Sequence, residues 1–538
     1  MRPHPLLLGR LLRRRFLRGL LGDRLLGGLL RGLLLGRLLR HRDRTSLVGR
    51  WEWVARPRLG PVCWDRPPND SSTRGGDSRW VPGPGRAAHE SPCPRKHRHG
   101  PPLPSPIEPT RPITTPASAI AGWPPSRPLA ALWRTGHATP TRLFEPTESR
   151  SLDSPDGLDT LTTTGAASPH RGWVLALSYD LGRTLEPAAG VRALPPSPWP
   201  RILAQRVEGC LAYDHDTHAW SAHDDAPTLP THRHAPEPAF HALTPLSATG
   251  RDAYTRAVTR VLEYIRAGDV YQANIGHRLT ARCDGSARAL MAALAHAADP
   301  WHGAYLEHDP DPATRLAWCS ASPELLLDYH APTRTALTRP MKGTQAIAQD
   351  RAALERSAKE RAELAMIVDL MRNDLGRVAE FGTVRVETPR TLESHAGSIR
   401  HATATVRARV RQGVPVSELV RSVFPAGSVT GAPKIRAMQI IDELEGHPRG
   451  PWCGSIGFLA DDGSLTLNVA IRTALLAGTP DPARRDGLAD AELTHWVGAG
   501  IVADSDPDRE WDETLLKAEP FLRALRAARA APVPEAAP

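Results

Sequence analysis

Lysine is almost absent from this 538-residue chain. The 68 basic residues comprise 63 arginines and five lysines, at positions 96, 342, 359, 434 and 517. Because this chain carries most of its positive charge on arginine, a lysine either remains by chance or marks a site that can use a compact ammonium group, one able to lose its proton and act as a nucleophile. Each lysine is therefore a candidate functional residue.

Cysteines and long apolar runs are also scarce. The six cysteines are far apart and none belongs to a C-x-x-C pair, so neither a zinc site nor a disulfide framework is indicated. A reducing, cytoplasmic compartment is expected. Arginines interrupt the leucine-rich residues 5–40 every few positions, so no apolar stretch reaches the roughly 18–20 residues of a membrane span. No membrane association is expected.

Charge is distributed unevenly along the chain. Residues 1–100 carry 22 basic and seven acidic side chains, a net charge of +15, whereas residues 101–538 carry −5. An enzyme that binds nucleic acid needs basic charge around its site, so no nucleic-acid partner is expected. A protein that associates with a membrane or nucleic acid through its basic tail stays open as an alternative of a different class.

Composition also divides the chain into segments. Residues 1–125 are rich in Pro, Arg, Gly and Ser and lack a periodic apolar pattern, which predicts a disordered or misassigned extension. Residues 126–244 contain short β-branched and aromatic runs bounded by Gly, Pro and Asp, as strands do. Residues 245–530 form a second predicted domain, and 531–538 a disordered tail.

The second segment mixes helical and strand patterns. Helices are predicted at 249–266, 286–297, 351–377, 415–423, 433–444 and 508–529, and strands at 315–328, 334–339, 383–388, 453–460, 464–475 and 493–502. Because the pattern lacks a regular βαβ alternation, we expect an α+β fold with layered antiparallel sheets.

Two predicted helices carry acidic pairs three residues apart. Glu360 and Glu363 project from one side of the first helix, and Glu510 and Glu513 repeat that spacing on the other. Two such helices can build an oxygen-rich pocket for Mg²⁺, which accepts one or two carboxylates and keeps several waters. Spacing alone also fits two ordinary solvated helix faces.

Three further segments could hold a substrate or react with it. The glycine-bearing segments FPAGSVTGAPK (424–434) and VGAGIVADSDP (497–507) offer backbone N–H groups to an anion, although each is also typical of a plain turn. TRPMKGT (338–344) places Lys342 beside apolar Met341 in a predicted loop, where a lowered pKa would make the amine nucleophilic. Glu324, predicted at the start of a strand, is a candidate general acid.

Together these segments resemble one family, the chorismate-utilising enzymes, and within it the aminodeoxychorismate synthase component I group. The resemblance covers about 250–522 in detail and 128–242 more loosely. It implies a layered sandwich of two antiparallel sheets flanked by helices, as in anthranilate synthase component I. The segments that carry it are DVYQANI, SASPELLL, TRPMKGT, RAELAMIVDLMRNDLGRV, FPAGSVTGAPKIRAMQIIDELE, RGPWCGSIGF, NVAIRTA and GAGIVADSDPDREWDET.

The resemblance also implies roles for individual residues. Glu363 and Glu513 would hold Mg²⁺ beside Glu360 and Glu510, while Glu324 would protonate the departing 4-hydroxyl of chorismate. Lys342, Glu324 and His401 form the implied catalytic group. The implied substrate-binding residues are Gln272, Thr344, Thr430, Trp452, Arg472, Gly498, Gly500 and Lys517.

Two positions bear on the reaction. Enzymes that form isochorismate or salicylate resemble this chain but place a water-activating lysine where Gln272 stands, which disfavours attack by water. Anthranilate synthases usually have alanine at the position of Lys342. The lysine therefore favours 4-amino-4-deoxychorismate, a precursor of 4-aminobenzoate and folate, with anthranilate as the main alternative product.

The sequence also bears on the source of the ammonia. No G-x-C-x-G nucleophile turn typical of a glutaminase occurs in the sequence. A separate glutamine amidotransferase subunit is therefore predicted to supply ammonia as the partner protein.

Overall fold

The structure is a computed structural model. The residues that it describes are 114–133, 140–161, 168–193, 195–230, 240–244, 246–248, 250–346, 355, 357–395, 399–482 and 486–529. They contain α-helices that begin and end as follows: α1 (Pro116–Ala121), α2 (Gly182–Leu185), α3 (Arg251–Ala267), α4 (Ala287–Ala298), α5 (Ala358–Gly376), α6 (Val416–Val423), α7 (Lys434–Glu445) and α8 (Pro507–Arg529).

The strands of the first half of the chain are β1 (Ala130–Leu132), β2 (Thr141–Phe144), β3 (Glu148–Leu152), β4 (Gly172–Leu177), β5 (Ile202–Val207), β6 (Gly209–Asp214), β7 (Ala219–Asp224), β8 (Phe240–Ala242) and β9 (Ser247–Ala248). Those that follow are β10 (Gln272–Ser286), β11 (Ala304–Asp311), β12 (Thr314–Ser320), β13 (Leu325–His330), β14 (Thr335–Arg339), β15 (Met341–Ala346), β16 (Arg385–His395), β17 (Ile399–Arg409), β18 (Gly431–Ala432), β19 (Ser455–Ala460), β20 (Leu465–Asn468), β21 (Thr473–Pro480) and β22 (Gly487–Ile501).

The strands form two antiparallel sheets. One has the order β18-β10-β22-β21-β12-β11-β1-β2-β6-β7, with β8 and β9 also pairing with β10. The other has the order β15-β17-β14-β13-β20-β19-β4-β5-β3, with β16 pairing with β17. The prediction of an α+β fold with two antiparallel sheets and flanking helices is confirmed.

Strand β4 shows why the layers form. Val174 and Ala176 belong to the apolar core between the two sheets, whereas Trp173, Leu175 and Leu177 belong to the core on the opposite face, toward helices α5 and α6. Because successive side chains of a strand point to opposite faces, an uninterrupted apolar run such as GWVLAL suits a strand that is buried on both sides. Helices α1, α4 and α8 cover the outer face of the other sheet.

The predicted segment boundaries need two corrections. Helix α1 and the residues just after it are part of the fold, because Ile120 and Trp123 are buried in the core and Arg288 donates hydrogen bonds to the Trp123 and Pro124 carbonyls. Ordered structure therefore begins well before residue 126. Residues 1–113 and 530–538, where the extension and the tail were predicted, lie outside the described residues.

The boundary at 244/245 does not separate two structural bodies. Strand β1 pairs with β11, and β4 pairs with β19, so strands from 126–244 and 245–530 share both sheets. All described residues belong to one compact unit. A sequence pattern shows that a strand exists but not which distant strand it pairs with, which is why the first segment resembled a separate domain.

The predicted helices agree with the structure to within a few residues wherever they are described. Among those described residues, none of the helices has the length and apolar character needed to cross a membrane. The prediction that Lys342 lies in a loop is wrong. The residue lies in strand β15 and pairs with Ala402 of β17.

Candidate active site

A cavity lies where β10 and β22 of one sheet approach β15 and β17 of the other. Helices α5 and α8 and the loop that contains Ser428 complete its wall. The cavity gathers most of the residues that the sequence nominated. Those lining it are Glu324, Lys342, Glu360, Glu363, His401, Trp452, Arg472, Gly498, Gly500, Glu510, Glu513 and Lys517.

The other three nominated residues are Gln272, Thr344 and Thr430. Gln272 is fully buried and lies at the border of the cavity, close to Gly500 and Lys342. Thr344 lies in β15, and its side chain is outside the described part of the structure. Thr430 is buried and its hydroxyl donates to the Ala426 carbonyl at 2.9 Å, which stabilises the turn; its contact with substrate stays a prediction.

Lys342 projects its amine into the cavity. Its Nζ donates a hydrogen bond to the Ser428 carbonyl oxygen at 3.4 Å. Burial lowers the pKa of this lysine, while the carboxylates of Glu363 and Glu324 partly oppose that shift. Burial disfavours the charged ammonium, so the site increases the fraction of free amine, the form that attacks carbon.

Glu324 lies beside this lysine, immediately before β13, and is 4% exposed. Burial raises the pKa of its carboxyl to about 7, although the Ser428 hydroxyl and the Lys342 ammonium favour the charged form. A carboxyl with a pKa near neutrality is half protonated at the pH of the cell and can donate a proton to a leaving group. The cavity thus combines a potential nucleophile with a potential general acid.

His401 and Arg472 form a hydrogen-bonded pair on the cavity wall. The His401 Nδ1 lies 2.7 Å from the Gly343 carbonyl oxygen, and its Nε2 lies 2.8 Å from Nη2 of Arg472. Since a carbonyl and a guanidinium group require a donor and an acceptor respectively, the imidazole is neutral with its proton on Nδ1. Burial lowers the pKa of Arg472 to about 10, which leaves the guanidinium charged at neutral pH and suited to bind a carboxylate.

The four nominated glutamates stand on two helices that line the same cavity. Glu360 and Glu363 come from α5, and Glu510 and Glu513 from α8. The Ser505 hydroxyl donates to Glu510 at 2.6 Å, and Lys517 lies 2.8 Å from Glu513. Over the described ranges, no group of three acidic, His or Cys side chains is arranged to hold a metal ion. Carboxylate oxygens are ligands of hard divalent cations such as Mg²⁺, which accept one or two of them and complete their shell with water and substrate.

The floor of the cavity is unusually free of side chains. Gly276 on β10 stands opposite Gly498 on β22, and the Trp452 ring lies over Gly276 so closely that a Cβ there would overlap it. Trp452 stacks on Trp496 with centroids 5.0 Å apart and planes 9° apart. The glycines thus leave room for a flat aromatic wall, against which a ring can pack.

Sequence reasoning missed Asn274, Gly276, Ser428 and Trp496, which belong to or border this cavity. The sequence did contain a signal for two of these residues, Asn274 and Gly276. Gln272, Asn274 and Gly276 alternate along β10, and alternate residues of a strand share a face. The assignment of 272–286 as a strand, which the sequence patterns did not give, would have placed them together.

Replacing Gly276 with alanine is expected to lower kcat/KM about 100-fold, since displacing an aromatic wall by about 1 Å misplaces the substrate. Steady-state kinetics with purified enzyme measures the effect. Gly376→Ala is the matched control, because no atom lies within 4 Å of a Cβ added there, and it should retain full activity. Unchanged kinetics for Gly276→Ala would show that Trp452 does not shape the substrate site.

Comparisons with known proteins agree with this architecture. A family model described as chorismate binding enzyme matches residues 119–523. The crystal structure of anthranilate synthase component I from Streptococcus pneumoniae superposes with a TM-score of 0.57 at 24% sequence identity, and the match covers 74% of this chain and 90% of that chain. At 24% identity, this likeness shows that the two chains share a fold.

Curated relatives carry two different names. Anthranilate synthase component 1 of Thermus thermophilus is 41% identical over 287 residues, which are 52% of this chain and 58% of that protein. Aminodeoxychorismate synthase component 1 of Escherichia coli is 33% identical over 387 residues, which are 69% of this chain and 80% of that protein. The relatives thus agree on the family and differ in the reaction for which they are named.

Proposed function

Because the chain belongs to the family of chorismate binding enzymes, we propose that it converts chorismate and ammonia to 4-amino-4-deoxychorismate, as an aminodeoxychorismate synthase component I. The observation that carries the proposal is the pairing of Lys342 with Glu324. The amine of Lys342, one of five lysines in the chain, has a lowered pKa, and the carboxyl beside it has a pKa of about 7. A free amine and a protonated carboxyl are the forms that the first chemical step requires.

In that step the Lys342 amine attacks ring carbon 2 of chorismate, the two conjugated ring double bonds each shift by one position, and the bond between carbon 4 and its hydroxyl breaks. Glu324 gives its proton to the departing oxygen, so water leaves. The products are a ring bonded to a positively charged lysine nitrogen and an ionised Glu324. Dividing one displacement into two covalent steps is the usual advantage of such a nucleophile.

In the second step ammonia attacks carbon 4, the two ring double bonds shift back, and neutral Lys342 leaves carbon 2. The new ammonium group on carbon 4 loses a proton to Glu324. Both residues return to their starting forms, and the overall change is replacement of a hydroxyl by an amine with release of water. No residue in this cycle needs to leave the cavity.

Cationic groups in the cavity suit the two carboxylates of chorismate. Arg472 offers a planar fork of donors, which matches a carboxylate. Lys517, whose Nζ donates to the Gly498 carbonyl at 2.9 Å, provides a second positive charge beside backbone groups of Gly498 and Gly500. Trp452 would pack against the ring, and the neutral imidazole of His401 would hold Arg472 in place.

The four glutamates fit a magnesium ion. As the family resemblance implies, Glu363 and Glu513 would be its direct ligands and Glu360 and Glu510 would bind its waters. A shared site is supported because the two pairs come from different helices and line one cavity. When bound, Mg²⁺ would neutralise the negative charge of the substrate's ring carboxylate. The carboxylate could then bind beside these acidic side chains. The Ser505 and Lys517 contacts restrain the α8 carboxylates for this purpose.

Ammonia is proposed to come from a separate glutamine amidotransferase subunit. The proposal is supported by the lack of a G-x-C-x-G turn in the sequence and by the need of the second step for free ammonia. If such a partner supplies the ammonia, a mixture of this chain with a purified glutaminase subunit should use glutamine as its nitrogen source in place of an ammonium salt.

The product formed by the full-length chain tests the proposed reaction. Incubation with chorismate, Mg²⁺ and an ammonium salt is expected to yield aminodeoxychorismate, identified by mass, with no release of pyruvate. A potassium salt at equal ionic strength serves as the control and should give no aminated product. Formation of anthranilate together with pyruvate would contradict the proposal.

Anthranilate synthase component I is the second candidate function. The observation in its favour is the 41% identity to a protein of that name. Its reaction also adds ammonia to chorismate but eliminates pyruvate and leaves an aromatic ring. Since this elimination has no evident use for a nucleophilic lysine, the position of Lys342 favours the first candidate.

A further inference from the structure

Arg449 lies in the segment between α7 and β19, beside the cavity residue Trp452. Its side chain is 1% exposed, as is that of Glu445, the last residue of α7. Nε of Arg449 lies 2.8 Å from one carboxylate oxygen of Glu445, and Nη2 lies 2.6 Å from the other. A buried ion pair is weak evidence for stability, because desolvating both charges can cost more than their attraction returns. Its position next to the cavity suggests a different role.

The remaining donors of Arg449 hold two segments of the cavity wall. Nη1 donates to the Val429 carbonyl and Nη2 to the Asn274 carbonyl, each at 2.8 Å. Val429 follows Ser428, whose own carbonyl accepts from Lys342, and all four of these residues line the cavity. One planar group, with its donors in a fixed fork, thus fixes strand β10 and the Ser428 loop relative to α7.

Glu445 extends these contacts to the floor of the cavity. Its Oε1 accepts a hydrogen bond from the backbone N–H of Gly276 on β10 at 2.8 Å. At Gly276 the strand approaches the Trp452 ring so closely that a Cβ would overlap it. The ion pair therefore holds the strand at the point where the strand meets the aromatic wall.

The flat face of Arg449 contacts that wall as well. Its guanidinium carbon lies 4.7 Å from the centroid of the Trp452 ring and 4.6 Å from that of the Tyr179 ring. Tyr179 is buried, and its hydroxyl has no hydrogen-bond partner among the described residues, so the tyrosine acts here through its ring. A guanidinium group stacks on aromatic faces, whereas the ammonium of lysine is a compact point charge. The arginine thus restrains the Trp452 ring.

We propose that Arg449, held by Glu445, is a positioning residue for chorismate: it sets the distance of the aromatic wall from the reacting lysine and carboxyl. The inference rests on the proposed function, because it takes chorismate as the substrate. Arg449 acts through the Trp452 ring, the backbone of β10 and the Ser428 loop. Loss of its fork should therefore slow the chemical step. Binding of the substrate's carboxylates depends on other groups and should change little.

Arg449→Lys tests the positioning role. Lysine keeps a positive charge beside Glu445 but loses the planar fork that reaches Val429 and Asn274. In a single turnover, with enzyme in excess over chorismate and ammonium saturating, the rate constant is expected to fall about 100-fold, as a misplacement of about 1 Å can cost. The KM for chorismate should stay within about threefold. Consumption of chorismate is followed in both experiments.

Arg288→Lys is the matched control. Arg288 on α4 is 1% exposed and pairs with Glu307. It also donates to the Trp123 and Pro124 carbonyls at 3.3 and 3.1 Å, so its burial and its kinds of partner match those of Arg449. Both variants should have a lowered Tm, but Arg288→Lys should keep the wild-type rate constant. Partial unfolding lowers the concentration of active enzyme, on which a single-turnover rate constant at saturating enzyme does not depend.

Glu445→Gln is a second, milder test, which applies even where Arg449→Lys fails to fold. Glutamine has nearly the same shape and keeps an acceptor for the Gly276 N–H, but it replaces charge-assisted hydrogen bonds to Arg449 with weaker ones. The single-turnover rate constant is expected to fall about tenfold, again with little change in the KM for chorismate.

Wild-type rate constants in those of the two variants that fold would overturn the positioning role. An equal decrease in Arg288→Lys would overturn it too, and so would a KM for chorismate that rises as much as the rate constant falls. Release of anthranilate and pyruvate by the wild type would contradict only the proposed product, because consumption of chorismate reports on the position of the ring in either reaction.

Discussion

Replacing Lys342 with methionine is expected to abolish aminodeoxychorismate formation, lowering kcat about a thousandfold, or roughly 4 kcal/mol of transition-state stabilisation. Methionine keeps the length and apolar stem of the side chain but cannot form a bond to carbon 2. The buried ammonium costs energy to desolvate, so the variant should fold at least as stably as the wild type. Product formation in single-turnover experiments, followed by mass, measures the loss.

Lys342→Arg is the informative control for this experiment. Arginine restores the positive charge but stays protonated and cannot act as a nucleophile. If Lys342 acts as a covalent catalyst, the arginine variant should be as inactive as the methionine variant. Wild-type rates in the arginine variant would mean that the site needs a cation at this position and not an attacking amine.

Replacing Glu324 with glutamine is expected to lower kcat by about 10²- to 10⁴-fold, the usual contribution of a positioned general acid. The pH profile carries further information. Because the pKa of Glu324 is about 7 and the acid must be protonated, wild-type kcat should fall as pH rises above neutrality. Protonation of Lys342 should produce the opposing decrease toward acid pH. The glutamine variant should lose the alkaline decrease and keep the acidic one.

The same substitution should increase stability at alkaline pH. The carboxyl has an ordinary pKa of 4.5 and one of about 7 in the folded protein, so the folded state binds the proton more tightly. Stability from this group is full below pH 4.5, declines as pH rises toward 7, and is lost above 7, a difference of about 3 kcal/mol. Urea unfolding of Glu324→Gln and wild type at pH 5 and pH 8 measures it. An equal free energy of unfolding at pH 8 would contradict the raised pKa.

Local features of the site could be predicted from the sequence where chemistry and spacing coincide. Glu360 and Glu363 are three residues apart, so their carboxylates share a side of any helix that contains both. Helix α5 contains both. Lys342 could be singled out because the chain has few lysines. The resemblance to a family then placed residues from distant segments in one cavity, which spacing alone could not do.

Other features depend on tertiary contacts that no local pattern records. Thr430 has a hydroxyl suited to bind a substrate, but the turn directs it at a backbone carbonyl. Asn274 lies in a strand whose burial on both faces hides the alternation that identifies strands. It lines the cavity opposite Gly500, which is more than 200 residues away in the sequence.

The pairing of β4 with β19 bears on how the polypeptide folds during its synthesis. Strand β4 lies between β5 and β19, and β19 is made about 280 residues after it. At translation rates of roughly 5–20 residues per second, that interval lasts about 15–60 s. Throughout this time the apolar GWVLAL segment has only one of its two neighbouring strands, and neither sheet can close until the carboxyl-terminal half has left the ribosome. The nascent chain is therefore a natural client for chaperones that shield apolar strands, and its amino-terminal half will aggregate when expressed alone.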